Sequence, residues 1–157
     1  MLLLYSFLLP CRRQQRIGEL GADVGLNPAE HEDIAAVVRG MCNDGRGPDA
    51  VIEAVGQPAT WELAIDIVRK GGIVVEYGGC AKGTTITVDT VRLHYDEITI
   101  KGSYSATAYE TEVAGTLLSR GLIKSEDYVS GVYSLEQTKE ALEAHMNGKG
   151  VKFRIKP

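Results

Sequence analysis

The run from Asp49 to Gly79, DAVIEAVGQPATWELAIDIVRKGGIVVEYGG, constrains the fold more than any other part of the chain. Asp49 to Val55 is apolar nearly throughout, the pattern of a strand covered on both faces. Pro58 then opens a helix carrying Trp61, Ala64, Ile65 and Val68 on one side. Arg69 and Lys70 stand at its carboxyl end, where cations suit the helix dipole, and Gly71 stops it. A short second strand follows, fenced by the pairs Gly71-Gly72 and Gly78-Gly79. Strand, helix, strand within about thirty residues is a βαβ unit, and units of this kind build a parallel sheet with helices on both faces.

The flanking segments continue the theme. MLLLYSFLL, ending at Pro10, reads as a buried strand: no basic residue precedes it, no small-residue cleavage site follows, and it is too short to cross a bilayer as a helix. RRQQRIGELGA predicts a short helix stopped near Gly21, and ADVGLN a second strand. Asn27-Pro28-Ala29-Glu30 gives a cap, a proline and an acid for the next helix, whose apolar stripe is Ile34, Val37, Val38 and Met41. Beyond Gly83 the segment Thr84 to Val88 (TTITV) alternates, VRLHYDE is mixed, and ITIKGSY reads as a strand. A helix is expected from Thr107 to Arg120. A capping box at Ser134 to Gln137 opens another with Leu135, Thr138, Leu142 and Met146 in register, and VKFRIKP closes the chain as a strand.

At 157 residues one domain is expected, spanning residues 1–157. The balance of 21 acidic against 17 basic side chains offers no basic stripe to a phosphate backbone, so neither nucleic acid nor a membrane is expected as partner. Three cysteines without a CxxC pair support neither a disulfide framework nor a structural zinc knuckle, and a reducing cytoplasm is the default location. In an open parallel sheet, ligands collect outside the carboxyl ends of the strands. Gly56, Gly79 and Gly102 fall at or near such ends, where a missing Cβ lets a flat ring or ribose approach main chain. Each glycine alone is explained as well by a turn; together they indicate a doubly wound nucleotide-binding sheet, with a methyltransferase or flavodoxin-like protein still possible.

ELGADVGLNP, the run GRGPDAVIEAVGQPATWELAIDIVRKGGIVVEYGG, TVDTVRLHYDEITIKGSYS and GKGVKFRIKP together resemble the carboxyl-terminal half of medium-chain, zinc-type alcohol and polyol dehydrogenases, most of all the branch with sorbitol and threonine dehydrogenases. The resemblance implies an α/β, Rossmann-like doubly wound parallel sheet, truncated at its amino-terminal side, that binds NAD or NADP along its strand ends. It places Ala54, Val55 and Gly56 by the riboses, Tyr77, Gly78 and Gly79 against the nicotinamide, and Gly102, Ser103, Tyr104 and Ser105 on the strand meeting its carboxamide. Lys152 falls where some members put a basic residue near the pyrophosphate, although a solvated charge explains it equally.

The departures matter as much. These residues contain no GxGxxG turn, and Phe7 stands where the ribose-binding acid is expected. The zinc ligands of the complete family are not matched; Cys11, Cys42, Cys80, His31, His94 and His145 are scattered without ligand spacing, and no catalytic residue is assigned. Asp96 and Glu97 read as a solvated turn. The expectation is a coenzyme-binding portion that holds nicotinamide nucleotide weakly and turns over no alcohol by itself. Two other readings stand beside it: a non-catalytic module that forms a homo-oligomer through the 84–88 edge strand, and a mis-started gene fragment.

Overall fold

The computed structural model describes Leu3–Tyr5 as backbone and residues 21–157 in full, in two compact units, Met1–Tyr104 and Ser105–Pro157. The helix expected in RRQQRIGELGA falls, up to Leu20, outside the described residues. In the first unit β1 (Leu3–Tyr5) and β2 (Val24–Leu26) pair in parallel. The start signal at Asn27 caps only a single 3-10 turn, Pro28–Glu30. Helix α1 (Ile34–Met41) begins later because Asp33 provides its own cap, its carboxylate accepting the Ala36 N–H at 2.9 Å. Of the stripe, Val38 is buried beside Leu26 and Ile67, Ile34 and Val37 pack against them, and Met41 is exposed.

The βαβ unit forms as the sequence predicts. Strands β3 (Ala50–Glu53) and β4 (Ile73–Glu76) are joined by α2 (Pro58–Ile67), and β5 (Thr99–Gly102) completes a parallel sheet in the order β3-β4-β5. Val74 is fully buried and packs with Ala64, Ile65 and Val68 of the helical segment and with Ile98; Val51 and Ile100 of the neighbouring strands lie against this cluster. Side chains alternate along a strand, so Glu53 and Glu76 share the face of Val51 and Val74. The register makes Glu53 the partner of Glu76, and Glu76 the partner of Gly102. Three strands therefore end side by side.

Two segments before β5 differ from expectation. The mixed VRLHYDE forms α3 (Thr90–Tyr95), capped by Asp89, whose carboxylate accepts the N–H groups of Val91 and Arg92. Its Arg92 donates to the carbonyls of Ile65, Asp66 and Val68 at 2.6 to 3.2 Å, closing the carboxyl end of α2, a task expected of Arg69 and Lys70. Arg69 instead pairs with Asp49 and Lys70 with Asp96. Asp96 is largely buried and also pairs with Arg92, so it is a structural ion-pair centre and not a solvated turn. Arg92→Met leaves these carbonyls without their donor and is expected to cost about 2 kcal/mol in urea unfolding.

Thr84 to Val88 forms no strand. Ile86 and Val88 pack against the Val74 cluster, and the Thr87 N–H donates to Glu62 at 2.8 Å. The alternation that suggested an edge strand is that of an extended segment with one side on a core.

In the second unit α4 (Ala108–Ser119) follows the expected span, with Thr107 and Glu110 in a reciprocal capping box. Strands β6 (Val129–Ser134) and β7 (Lys152–Lys156) pair in parallel and are joined by α5 (Thr138–Met146). Only half of the expected capping box is made: Gln137 accepts the Ser134 N–H at 3.1 Å, but the Ser134 hydroxyl donates to Glu136 and Gln137 itself stands at the N-cap. The helix buries Ala141 and Ala144, whereas Leu135, Leu142 and Met146 are exposed, so the expected stripe lies off the buried face.

Candidate functional site

At the carboxyl edge of β3-β4-β5 the main chain folds onto itself. Gly56 has φ +81°, a left-handed conformation that glycine adopts without strain, and a Cβ there would lie 2.5 Å from the Gly79 carbonyl oxygen. A Cβ on Gly78 would lie 2.4 Å from the Gly56 nitrogen and 2.8 Å from that of Val55. The turns after β3 and β4 are thus in backbone contact. Gly79 and Gly102 differ: nothing lies within 4 Å of where their Cβ atoms would stand.

Glu53 holds the first turn. Its carboxylate accepts the N–H groups of Val55 and Gly56 and the Thr60 hydroxyl, at 2.7 to 3.2 Å. Its main-chain carbonyl accepts the Tyr77 and Gly78 N–H groups at 2.9 and 2.8 Å. The indole N–H of Trp61 donates to the Gly78 carbonyl at 2.9 Å, fixing the second turn to α2. The Ser103 N–H, donating to the Glu76 carbonyl at 3.1 Å, carries the ladder one residue past β5.

A cavity of about 550 Å³ opens on this edge. Its walls are Gly78 to Ala81, Thr84 to Ile86 and Gly102 to Tyr104, with Trp61 on one side and Glu76 at the strand end. Glu76 is 2% exposed, and neither carboxyl oxygen has a hydrogen-bond partner among the described residues. Burial, and secondarily the charge of Glu53, push its pKa up to about 7. The Cys80 thiol is also raised, by burial and then by Glu53 and Glu76. Among the described residues no basic side chain lines the cavity.

Of the residues singled out in the sequence, Gly78, Gly79, Gly102, Ser103 and Tyr104 line this cavity, and Gly56 supports it from below through Gly79. Ala54 and Val55 occupy the turn after β3, and Tyr77 that after β4; all three are exposed. Ser105 and Lys152 belong to the second unit, where Ser105 has φ +60° and Lys152 opens β7 with its side chain exposed. Glu53 and Glu76 were not anticipated. The signal was present: DAVIE and GIVVE each end an apolar strand on an acid, in register. Among the described residues, no three His, Cys, Asp or Glu side chains converge as a metal site, and no helix is long and apolar enough to cross a membrane.

Known proteins sharing this architecture point one way. The D-arabitol-phosphate dehydrogenase of Enterococcus avium is 31% identical over 137 residues, covering 87% of this chain and 38% of that protein. A Sinorhizobium meliloti 1021 structure solved with NADP superposes with a TM-score of 0.88 at 21% identity, over 99% of this chain and 44% of its own. An alcohol dehydrogenase from Thermus sp. ATN1 gives 0.81 at 28% identity, over 98% and 43%. The chain thus spans less than half the length of these proteins, and its parallel α/β architecture is the Rossmann-like fold of zinc-type dehydrogenases. Residues 12–120 match the family described as zinc-binding dehydrogenase, and the chain belongs to that family.

Proposed function

We propose that the chain is the carboxyl-terminal, coenzyme-binding portion of an NAD(P)-dependent zinc-type alcohol or polyol dehydrogenase, receiving the nicotinamide end of the coenzyme in the cavity at the ends of β4 and β5. The observation that carries this reading is the main-chain floor. At Gly79 and Gly102 the positions a side chain would take open on free space, at the strand ends where a doubly wound sheet collects its ligands. A flat ring or ribose can rest there on backbone. The residues fit the group in a second respect: Ser103, Thr84 and Thr85 offer hydroxyls at the wall, and Glu76 offers a buried acceptor with no other use. When bound, the coenzyme supplies the hydride-accepting ring; the chain supplies binding and orientation.

The polyol class of substrate rests on the named relatives, and the zinc chemistry on the complete family. These residues hold no GxGxxG turn and no acid at the ribose position. Each charge-assisted hydrogen bond so forgone is worth about 1.5 to 3 kcal/mol, which places the dissociation constant of NADH for the 157-residue chain at roughly 0.1 mM or weaker. A fluorescence titration with NADH tests this. Saturable, weak binding is expected, without alcohol oxidation. No saturation at roughly 5 mM overturns the coenzyme reading, and micromolar affinity overturns the assigned weakness.

A further inference from the structure

The Glu76 side chain is buried, its two carboxyl oxygens have no hydrogen-bond partner among the described residues, and the residue belongs to the wall of the cavity, a combination that a fold does not keep without compensation. Its neighbour Glu53 is on the same face one strand away, yet the Glu53 carboxylate is consumed by the Val55, Gly56 and Thr60 donors. One acid therefore builds the turn and the other is left for whatever enters. Among the described residues, no cation lines the cavity to answer them. Lys101 pairs with Val75 in the register and so projects from the opposite face of the sheet, and Lys82 is exposed in the turn before Gly83. Among the described residues, the titratable groups at the cavity beside Glu76 are Glu53 from β3, Cys80 from the loop after β4 and Tyr104 beyond β5.

We infer that the Glu76 carboxylate makes this cavity selective for a flat, positively charged nitrogen ring over its neutral counterpart, so that the chain binds the oxidised, pyridinium form of the nicotinamide in preference to the reduced form. This rests on the coenzyme reading above. The physical reason is that a cation beside a desolvated carboxylate replaces the missing partner and relieves the repulsion from Glu53, whereas the neutral dihydropyridine ring does neither. The indole of Trp61, on the cavity wall, adds attraction for a cationic ring. Preference for the oxidised form requires the ionised acid. It is therefore weak at pH 6 and develops toward pH 8, in step with an ionisation raised to about 7. Cys80, raised from its ordinary value, does not titrate in that window.

The test is a ligand-observed NMR titration of the 157-residue chain with NAD+ and with NADH, each at pH 6 and pH 8. Adenosine, riboses and pyrophosphate are common to both and cancel in the ratio of the two dissociation constants. That ratio is expected to move about tenfold in favour of NAD+ between pH 6 and pH 8 in the wild type, and to stay level in Glu76→Gln. The wild-type series is informative even if the variant folds poorly. Binding of both forms with a ratio independent of pH, or a Glu76→Gln ratio that still moves with pH, overturns the role of Glu76 and leaves the coenzyme reading standing. No binding of either form overturns both.

Discussion

Gly78→Ala is expected to lower the stability of the chain by about 3 kcal/mol, whereas Gly79→Ala, one residue on, changes it by less than about 0.5 kcal/mol. The new methyl at position 78 would lie 2.4 Å from the Gly56 nitrogen, 2.8 Å from the Val55 nitrogen and 2.7 Å from Glu53 Oε2. None of these can step aside cheaply. Both nitrogens are hydrogen-bonded to the Glu53 carboxylate, which is itself held by Thr60, so relief of the clash means breaking that set. At Gly79 the same methyl meets nothing within 4 Å. Urea denaturation followed by circular dichroism compares the two directly. Equal effects would show that the turns after β3 and β4 are not in the backbone contact described.

The second large effect is a pH dependence with the sign opposite to that of an ordinary paired carboxylate. A Glu whose pKa rises from 4.5 to about 7 on folding binds more protons in the native state than in the unfolded one throughout that interval. Its contribution is therefore most favourable below pH 4.5, declines as pH rises through the window, and is level above 7. The raised value corresponds to about 3 kcal/mol across the whole interval. Other carboxylates titrate in the same range, so the quantity to measure is the unfolding free energy of the wild type minus that of Glu76→Gln at each pH. That difference should fall by about 3 kcal/mol between pH 4.5 and 7.5 and then stay flat. A level difference would mean that Glu76 is solvated or paired in solution.

The legibility of this chain depends on how local each signal is. The unit from β3 to β4 could be read directly, because a continuous apolar strand, a proline-opened helix and a glycine stop are each written within a few residues. Two start signals in succession, Asn27 and Asp33, were harder. Only packing decides which cap belongs to the helix, and Val38 reaching Leu26 and Ile67 favours the later one. Thr84 to Val88 alternates because one side of the extended segment lies on the Val74 cluster, a cover that alternation alone does not tell from a sheet partner. The last helix misled through size: small Ala141 and Ala144 allow close approach to a strand pair, while the larger Leu142 and Met146 face outward. The glycine positions at the candidate site were visible in the sequence, but the distinction between Gly56 and Gly78, which pack on each other, and Gly79 and Gly102, which leave room, required distances. The two acids required the register.

A platform whose floor is peptide backbone has an evolutionary corollary. Side chains around it can be exchanged so long as the two interlocking glycines, Gly56 and Gly78, are kept. Divergence among such proteins should accumulate in the wall from Cys80 to Thr85, where new side chains can retune a recess without disturbing the strands beneath.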